Sequence, residues 1–152
     1  EALASTPADI SRIINPLLNH DEQALSAAQP IKDLILTLLV EEQVFNEYLN
    51  EIISEDQPLL KEPAQHAKAD SRQPNLHYLV DELQVNREKT ITILRTLSMK
   101  DWQRKAYHST MGLVSIRFVA QALVEQDIAR SSRLVNLVHD WRRYTQARDA
   151  GI

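Results

Sequence analysis

The stretch SIRFVAQALVEQDIARSSRLVNLVHDWRR, which runs from Ser115 to Arg143, decides the fold of this chain. It contains neither proline nor glycine, and its apolar residues recur at alternating steps of four and three, which keeps them on one face of an α-helix. Asp127 and Arg130, with Gln126 beside them, interrupt this stripe at its centre. A polar break there indicates either a functional site or the remnant of one. The full ladder is Ile116, Ala120, Leu123, Asp127, Arg130, Leu134, Leu137, Trp141 and Tyr144.

Two further segments predict long amphipathic helices. One begins at Pro30 and ends near Ser54, and the other runs from Leu76 to Leu97. The helix from Pro30 is polar at mid-length, as the last helix is, so the two polar centres are expected to meet if these helices pack side by side. The stripes are Ile31, Ile35, Leu38, Glu42, Phe45, Leu49 and Ile52 in one helix, and Leu76, Leu79, Val80, Leu83, Thr90, Leu94 and Leu97 in the other.

A shorter helix is predicted near the N-terminus. Thr6 suits its N-cap and Pro7 its first helical position. Pro16 should kink this helix or restart it, with Asn15 as an alternative cap. With the three long helices, it predicts an all-α fold, and a four-helix bundle is the economical way to bury their apolar stripes together.

The predicted bundle forms a single domain over residues 1–152, and its ends, 1–5 and 148–152, are expected to be frayed. A long, proline-rich loop lies between helices 2 and 3 and permits a crossover connection. Its segment 58–60, Pro-Leu-Leu, is expected to tuck back onto the bundle. No segment alternates as a strand does, so residues 103–113 are expected to form a loop.

Polar residues at three positions predict local caps. Ser98 and Asp101 have the spacing of a capping turn, and Ser115 suits the N-cap of the last helix.

Composition excludes several classes of function. The chain has 152 residues, no cysteine and a net charge of −4. Disulfides, zinc–thiolate sites and thiol nucleophiles are therefore excluded, and binding to nucleic acid through phosphate neutralisation is disfavoured. The longest apolar run, 34–40, is far shorter than the roughly 20 residues of a membrane span. We expect a cytoplasmic protein with no membrane or nucleic-acid partner. With two glycines, the chain has no nucleophile elbow or phosphate loop.

Histidine spacing does not predict a metal site. None of the five histidines forms a His-x-x-x-His pair, and no Glu-x-x-His is present. Within a predicted helix, Asp81 follows His77 by one turn. A solvated histidine beside an acid explains this spacing more simply than a pair of metal ligands does. His20, His66 and His108 fall in predicted loops. Whether a metal binds through His20, His66, His77 or His108 is left open.

Arg130 is the most informative single residue of the polar break. A guanidinium on a core-facing position has to pair or reach water, because it does not lose its proton. Asp127 on the same helix and Glu42 on the second helix are its candidate partners, whereas Glu41 is expected to face solvent. The arrangement fits either an anion-binding pocket or an ion pair that fixes helix register, and we favour the ion pair.

Four stretches in order carry a family resemblance: IKDLILTLLVEE at 31–42, LSMKDW at 97–102, HSTMGLVSIR at 108–117 and the last helix itself. Together they resemble the DinB/YfiT-like family of four-helix bundles. The resemblance implies a divalent metal held by one histidine on the second helix and a His-x-x-x-His pair on the last. Members with this triad are metal-dependent enzymes, including thiol-dependent transferases, isomerases and hydrolases.

The departures from the family pattern bear on function. The three histidine positions fall on Thr37, Gln126 and Arg130, while Glu42 keeps the family's acid. Threonine and glutamine are poor ligands for zinc or nickel, and the charge of Arg130 repels a cation. The resemblance therefore implies a metal-free branch in which the Arg130 guanidinium occupies the former metal position and pairs with Glu42 or Asp127.

The sequence thus predicts a DinB-like bundle without cofactor, metal or catalytic residues, which binds a small ligand or a protein partner. Its candidate pocket or former metal-site positions are Thr37, Glu42, Gln126, Asp127 and Arg130. The resemblance also implies a homodimer. The alternative is a metal- or thiol-dependent transferase or hydrolase that uses an unrecognised site.

Overall fold

The computed structural model describes residues 2–20, 25–61 and 75–152. Most of the long loop between the second and third helices, including Pro63, His66 and Pro74, lies outside these residues. The four α-helices are α1 (Ala2–Ile14), α2 (Gln29–Ser54), α3 (Leu76–Thr96) and α4 (Ile116–Asp149). The four-helix bundle predicted from the hydrophobic periodicity is confirmed.

The helices pack in an order that differs from their order in the chain. Both α1 and α2 pack against α3 and α4. The bundle therefore runs α1, α3, α2, α4 around its circumference, with α1 opposite α2 and α3 opposite α4.

Two clusters of buried side chains give the helix directions. One cluster joins Ile10 and Ile14 of α1 to the first halves of α2 and α3 and to the second half of α4. The other joins the second half of α2 to the first half of α4, with Leu3 and Leu97 packed against it. Consequently α2 and α3 run in the same direction, opposite to α1 and α4, and a crossover links α2 to α3.

The N-terminal helix begins earlier than predicted. Helix α1 already includes Ala2, so Thr6 is not its cap and Pro7 lies inside it. A 3-10 helix, Asn15–Leu17, follows directly, and Pro16 starts it without a side-chain cap from Asn15. At the other end of the chain, α4 continues to Asp149.

A small sheet replaces part of the loop structure expected from sequence. Strand β1 (Leu59–Leu60) pairs in parallel with β2 (Lys105–His108), which pairs antiparallel with β3 (Gly112–Ser115). The expectation of a loop over 103–113 was therefore wrong. These strands are too short to show an alternating pattern, and Gly112, with φ +72°, provides the left-handed residue that ends the connection between β2 and β3. The predicted return of segment 58–60 to the bundle is confirmed, because Leu60 is fully buried.

The buried face of α4 departs from the predicted ladder near its C-terminal end. Val138 and Thr145 are buried, whereas Leu137 is only partly buried and Tyr144 is exposed. Residues spaced seven apart in a straight α-helix are rotated by about 20° relative to one another. Over the four heptads of the predicted ladder this rotation approaches the angle between successive residues. The buried positions therefore shift by one residue near the end of α4.

The hydrogen bonds predicted at Ser115 and between Ser98 and Asp101 are confirmed, unlike the caps predicted at Thr6 and Asn15. The Ser115 hydroxyl accepts a hydrogen bond from the backbone N–H of Phe118 at 3.2 Å. The backbone N–H of Ser98 donates to Asp101 Oδ2 at 2.9 Å, and that of Asp101 donates to the Ser98 hydroxyl at 3.2 Å. This reciprocal pair has the pattern of a capping box and closes the turn that leads into the short 3-10 helix Asp101–Gln103.

Candidate functional site

A buried ion cluster lies at mid-length of the bundle, between the two apolar clusters, and Arg87 of α3 is its centre. Its Nε donates to Glu42 Oε2 at 2.8 Å, and its Nη2 lies 2.7 Å from the same oxygen. Nη1 and Nη2 donate to the two carboxylate oxygens of Asp127 at 2.6 and 3.0 Å. Nη1 also donates to the backbone carbonyl of Leu3 at 3.1 Å. Four of the five N–H groups of the guanidinium therefore donate hydrogen bonds, and the Nη2 contact with Glu42 adds an ion pair.

Two threonine hydroxyls complete the cluster. Thr6 of α1 donates to Asp127 Oδ2 at 2.9 Å, and Thr90 of α3 donates to Glu42 Oε1. Glu42 and Thr90 are fully buried, and Asp127 is 5% exposed. Each of the four helices thus contributes to one polar layer, so the cluster fixes the axial position of the helices relative to one another.

Pro7 explains why a backbone carbonyl of α1 is free for Arg87. In an α-helix, the carbonyl of Leu3 would accept a hydrogen bond from the N–H four residues later, but proline has no N–H. Arg87 provides the missing donor. The proline inside α1 and the arginine of α3 therefore complement each other, and together they hold the first turn of α1 against the bundle.

The charge of Arg87 is stabilised by its partners. Burial on its own would lower the pKa of Arg87, but the hydrogen bonds and negative charges of Asp127 and Glu42 outweigh it and raise the pKa above its ordinary value. Arg87 therefore stays a cation, and the two buried carboxyl groups share its positive charge.

The structure separates the residues predicted for the site. Glu42 and Asp127 lie in the cluster, whereas Thr37 and Gln126 are exposed. The Thr37 hydroxyl donates to the backbone carbonyl of Asp33 in its own helix, at 2.9 Å. Neither exposed residue contacts the buried carboxyl groups through a hydrogen bond that the structure describes.

Arg130 pairs with a different acid from those predicted. Its Nη2 lies 2.6 Å from Glu41 Oε1, and both side chains are about 70% buried, with exposed fractions of 30% and 26%. The predicted pairing with Glu42 or Asp127 was wrong, because Arg87 already occupies both. Glu41 was expected to face solvent, but it turns toward α4 to meet Arg130.

Sequence reasoning missed Arg87, although its position carried a signal. The predicted stripe of α3 steps from Leu83 to Thr90 and omits the residue one turn after Leu83. That residue is Arg87, which is 1% exposed. An apolar stripe that lacks its expected apolar residue one turn after Leu83 indicates that a polar side chain enters the core at that position.

The described residues do not offer the ligand set of a metal-dependent bundle. Within 2–20, 25–61 and 75–152, no three His, Cys, Asp or Glu side chains are grouped to hold a metal ion. Both acids of the polar layer bind a guanidinium instead. His20 packs edge-on against Trp141, with ring centroids 4.7 Å apart, and His108 Nδ1 lies near the backbone N–H groups of Thr110 and Met111.

An apolar cavity of about 480 Å³ lies beside the ion cluster. Leu3, whose carbonyl binds Arg87, forms part of its wall. Trp102, from the short 3-10 helix, forms another part. Helices α1, α3 and α4 supply the remaining walls, and the complete lining is Leu3, Ala4, Ile91, Leu94, Arg95, Trp102, Ala120, Gln121 and Val124.

Comparisons with known proteins identify the fold. The sequence matches no known protein family and no curated protein. The chain is similar to a solved structure described as "YfiT from Bacillus subtilis is a probable metal-dependent hydrolase with an unusual four-helix bundle topology", with a TM-score of 0.76 and 15% identity. The likeness covers 91% of this chain and 83% of that chain. The resemblance in fold to the DinB/YfiT-like bundles is thereby confirmed.

No helix in the described part of the chain combines the length and the apolar character needed to cross a membrane.

Proposed function

We propose that this chain is a metal-independent DinB/YfiT-like bundle that binds a small, largely apolar ligand without catalysis. The observation that carries the proposal is the cavity of about 480 Å³ beside the ion cluster. Its volume lies within the range of small-molecule sites, and most of its lining is aliphatic or aromatic.

The ion cluster supports the metal-independent part of the proposal. A cation at the polar layer would have to compete with Arg87 for Glu42 and Asp127. Arg87 already donates one hydrogen bond to Glu42, two to Asp127 and one to the Leu3 carbonyl. The cluster thereby acts as a structural layer. It also holds Leu3, so the layer fixes one wall of the cavity.

Fluorescence tests ligand binding directly. The chain has two tryptophans, Trp102 in the cavity wall and Trp141 in the other apolar cluster. In the Trp141→Phe variant, the remaining tryptophan reports on the cavity. We expect the neutral apolar probe N-phenyl-1-naphthylamine to bind with one site and to quench Trp102 by energy transfer.

A pair of variants on one helix locates the probe. Val124→Phe places a larger side chain in the cavity, whereas Val135→Phe makes the same change at an exposed position of α4. We expect Val124→Phe to weaken binding by about tenfold or more, which is about 1.4 kcal/mol, and Val135→Phe to leave it unchanged. Equal binding by both variants, or no binding by the wild type, would contradict the proposal.

The alternative function is a metal-dependent hydrolase or transferase, and the description of the YfiT structure favours it. Metal analysis of protein purified without a histidine tag separates the two functions. The proposal predicts far less than one equivalent of Zn, Ni or Mn. One equivalent that is retained through gel filtration would contradict the metal-independent proposal and favour the alternative.

We also propose a homodimer, for which the sheet offers a surface. The exposed residues Leu59, Tyr107 and Leu113 are paired across the three strands and form one apolar row. A second copy would cover this row. Light scattering should find a dimer for the wild type and a monomer for Leu113→Lys, and a monomeric wild type would overturn this assignment.

A further inference from the structure

We propose that the cavity beside the ion cluster binds an amphipathic anion, namely a free medium-chain carboxylate with its alkyl chain inside and its head group at Arg95. This inference rests on the proposed ligand-binding function and names the class of ligand.

The lining separates an apolar interior from one charged group. Leu3, Leu94 and Trp102 are partly buried and pack against the apolar cluster at that end of the bundle. Arg95 is the one charged residue among the described residues that line the cavity, and it is exposed. A ligand with an apolar chain and one negative charge matches this distribution.

Arg95 differs from the buried and half-buried arginines of the fold. Arg87 and Arg130 bind carboxylates, and Arg104 donates to the backbone carbonyls of Ile52 and Glu55. Within the described ranges, no hydrogen bond or ion pair involves Arg95. A guanidinium keeps its charge and presents two parallel N–H donors, which is the geometry that a carboxylate accepts.

The other polar residue of the lining is already engaged. The side-chain amide of Gln121 donates to Glu125 at 3.2 Å, and Glu125 does not line the cavity. Arg95 is therefore the residue left to bind the head group. With an uncharged apolar ligand, the Arg95 guanidinium would remain hydrated and would make no contact with the ligand. Arg95 therefore selects for a negatively charged head group.

The experiment compares decanoate with 1-decanol, which has the same chain length and no charge. Each compound displaces N-phenyl-1-naphthylamine from the Trp141→Phe protein near pH 7, where a carboxylate is ionised. The test variant is Arg95→Gln, and Arg133→Gln on α4, which is exposed and outside the lining, is the matched control.

We expect Arg95→Gln to weaken decanoate about tenfold, as for the loss of a charge-assisted pair, and to change 1-decanol by less than about twofold. Arg133→Gln should change neither. If Arg95→Gln affects both compounds equally, or neither, the inference is overturned while the proposed function stands. If the fluorescent probe itself does not bind, the proposed function and this inference both fail.

Discussion

The guanidinium of Arg87 meets the carboxylate of Asp127 edge to edge, with Nη1 2.6 Å from Oδ2 and Nη2 3.0 Å from Oδ1. This bidentate pair joins α3 to α4, which lie on opposite sides of the bundle. Glu42 of α2 accepts from Nε of the same guanidinium, and the Leu3 carbonyl of α1 accepts from its Nη1. One side chain therefore connects all four helices at mid-length.

The Arg87→Met variant should lose about 3–5 kcal/mol in its free energy of unfolding, because two buried carboxyl groups lose their cation. Urea denaturation monitored by circular dichroism measures this loss. Adding Glu42→Gln and Asp127→Asn to Arg87→Met should recover part of it, since the uncompensated charges are removed. A loss below about 1 kcal/mol for Arg87→Met would show that the cluster does not stabilise the bundle.

The pair between Arg130 and Glu41 should contribute much less. Both side chains are partly exposed, and pairs of this kind contribute between about 0 and 1 kcal/mol. A double-mutant cycle with Arg130→Met and Glu41→Gln measures their coupling energy. A coupling energy as large as the loss in Arg87→Met would contradict the small contribution expected of this partly exposed pair.

The helices could be predicted from sequence because each carries a sustained stripe. In α2, every residue of the predicted stripe is buried, including Glu42. The sheet could not be predicted, because β1 has two residues and β2 and β3 have four each. Strand β1 forms by pairing with a segment that is distant in the chain, and no local sequence pattern predicts such pairing.

The polar layer was predicted in part. Glu42 and Asp127 were correctly placed at the polar centres of two helices, but their shared cation was assigned to Arg130. That residue follows Asp127 by three positions, but it is only partly buried and its Nη2 meets Glu41 instead. The use of these positions as a ligand pocket stays a prediction, and so do the homodimer and the cytoplasmic location.

The return of segment 58–60 to the bundle can be tested with two adjacent leucines. Leu60 is fully buried, whereas Leu59 is 61% exposed. Leu60→Ala should cost about 2–5 kcal/mol of unfolding free energy, and Leu59→Ala should stay within about 0.5 kcal/mol of the wild type. Similar values for the two variants in urea denaturation would show that β1 does not pack as described.

The capping box before Trp102 makes stability depend on pH in the acid range. The hydroxyl of Ser98 and its backbone N–H donate to Asp101 at 2.6 and 2.9 Å, and these hydrogen bonds lower the pKa of Asp101 below its ordinary value of 3.8. The group's contribution to stability is complete well above pH 3.8 and is lost as the pH falls through the lower folded-state pKa.

Asp101→Asn should therefore be less stable than the wild type at neutral pH, and the difference should shrink as the pH falls below 3.8. Thermal unfolding of both proteins across this range measures the effect. Ser98→Ala removes the hydroxyl that donates to Asp101. Its stability difference from the wild type should also become smaller as the pH falls. A difference that is independent of pH would assign the effect of Asp101 to packing.

The most direct test of the proposal that this bundle is metal-independent, with Arg87 as the cation of its polar layer, is the thermal unfolding of tag-free wild-type protein with EDTA and with excess Zn²⁺, Ni²⁺ or Mn²⁺. A metal that binds the folded state at one hundred times its Kd would add about 2.7 kcal/mol and raise the Tm. We expect the same Tm under all four conditions. A Tm that rises and saturates at one equivalent of metal would contradict the claim.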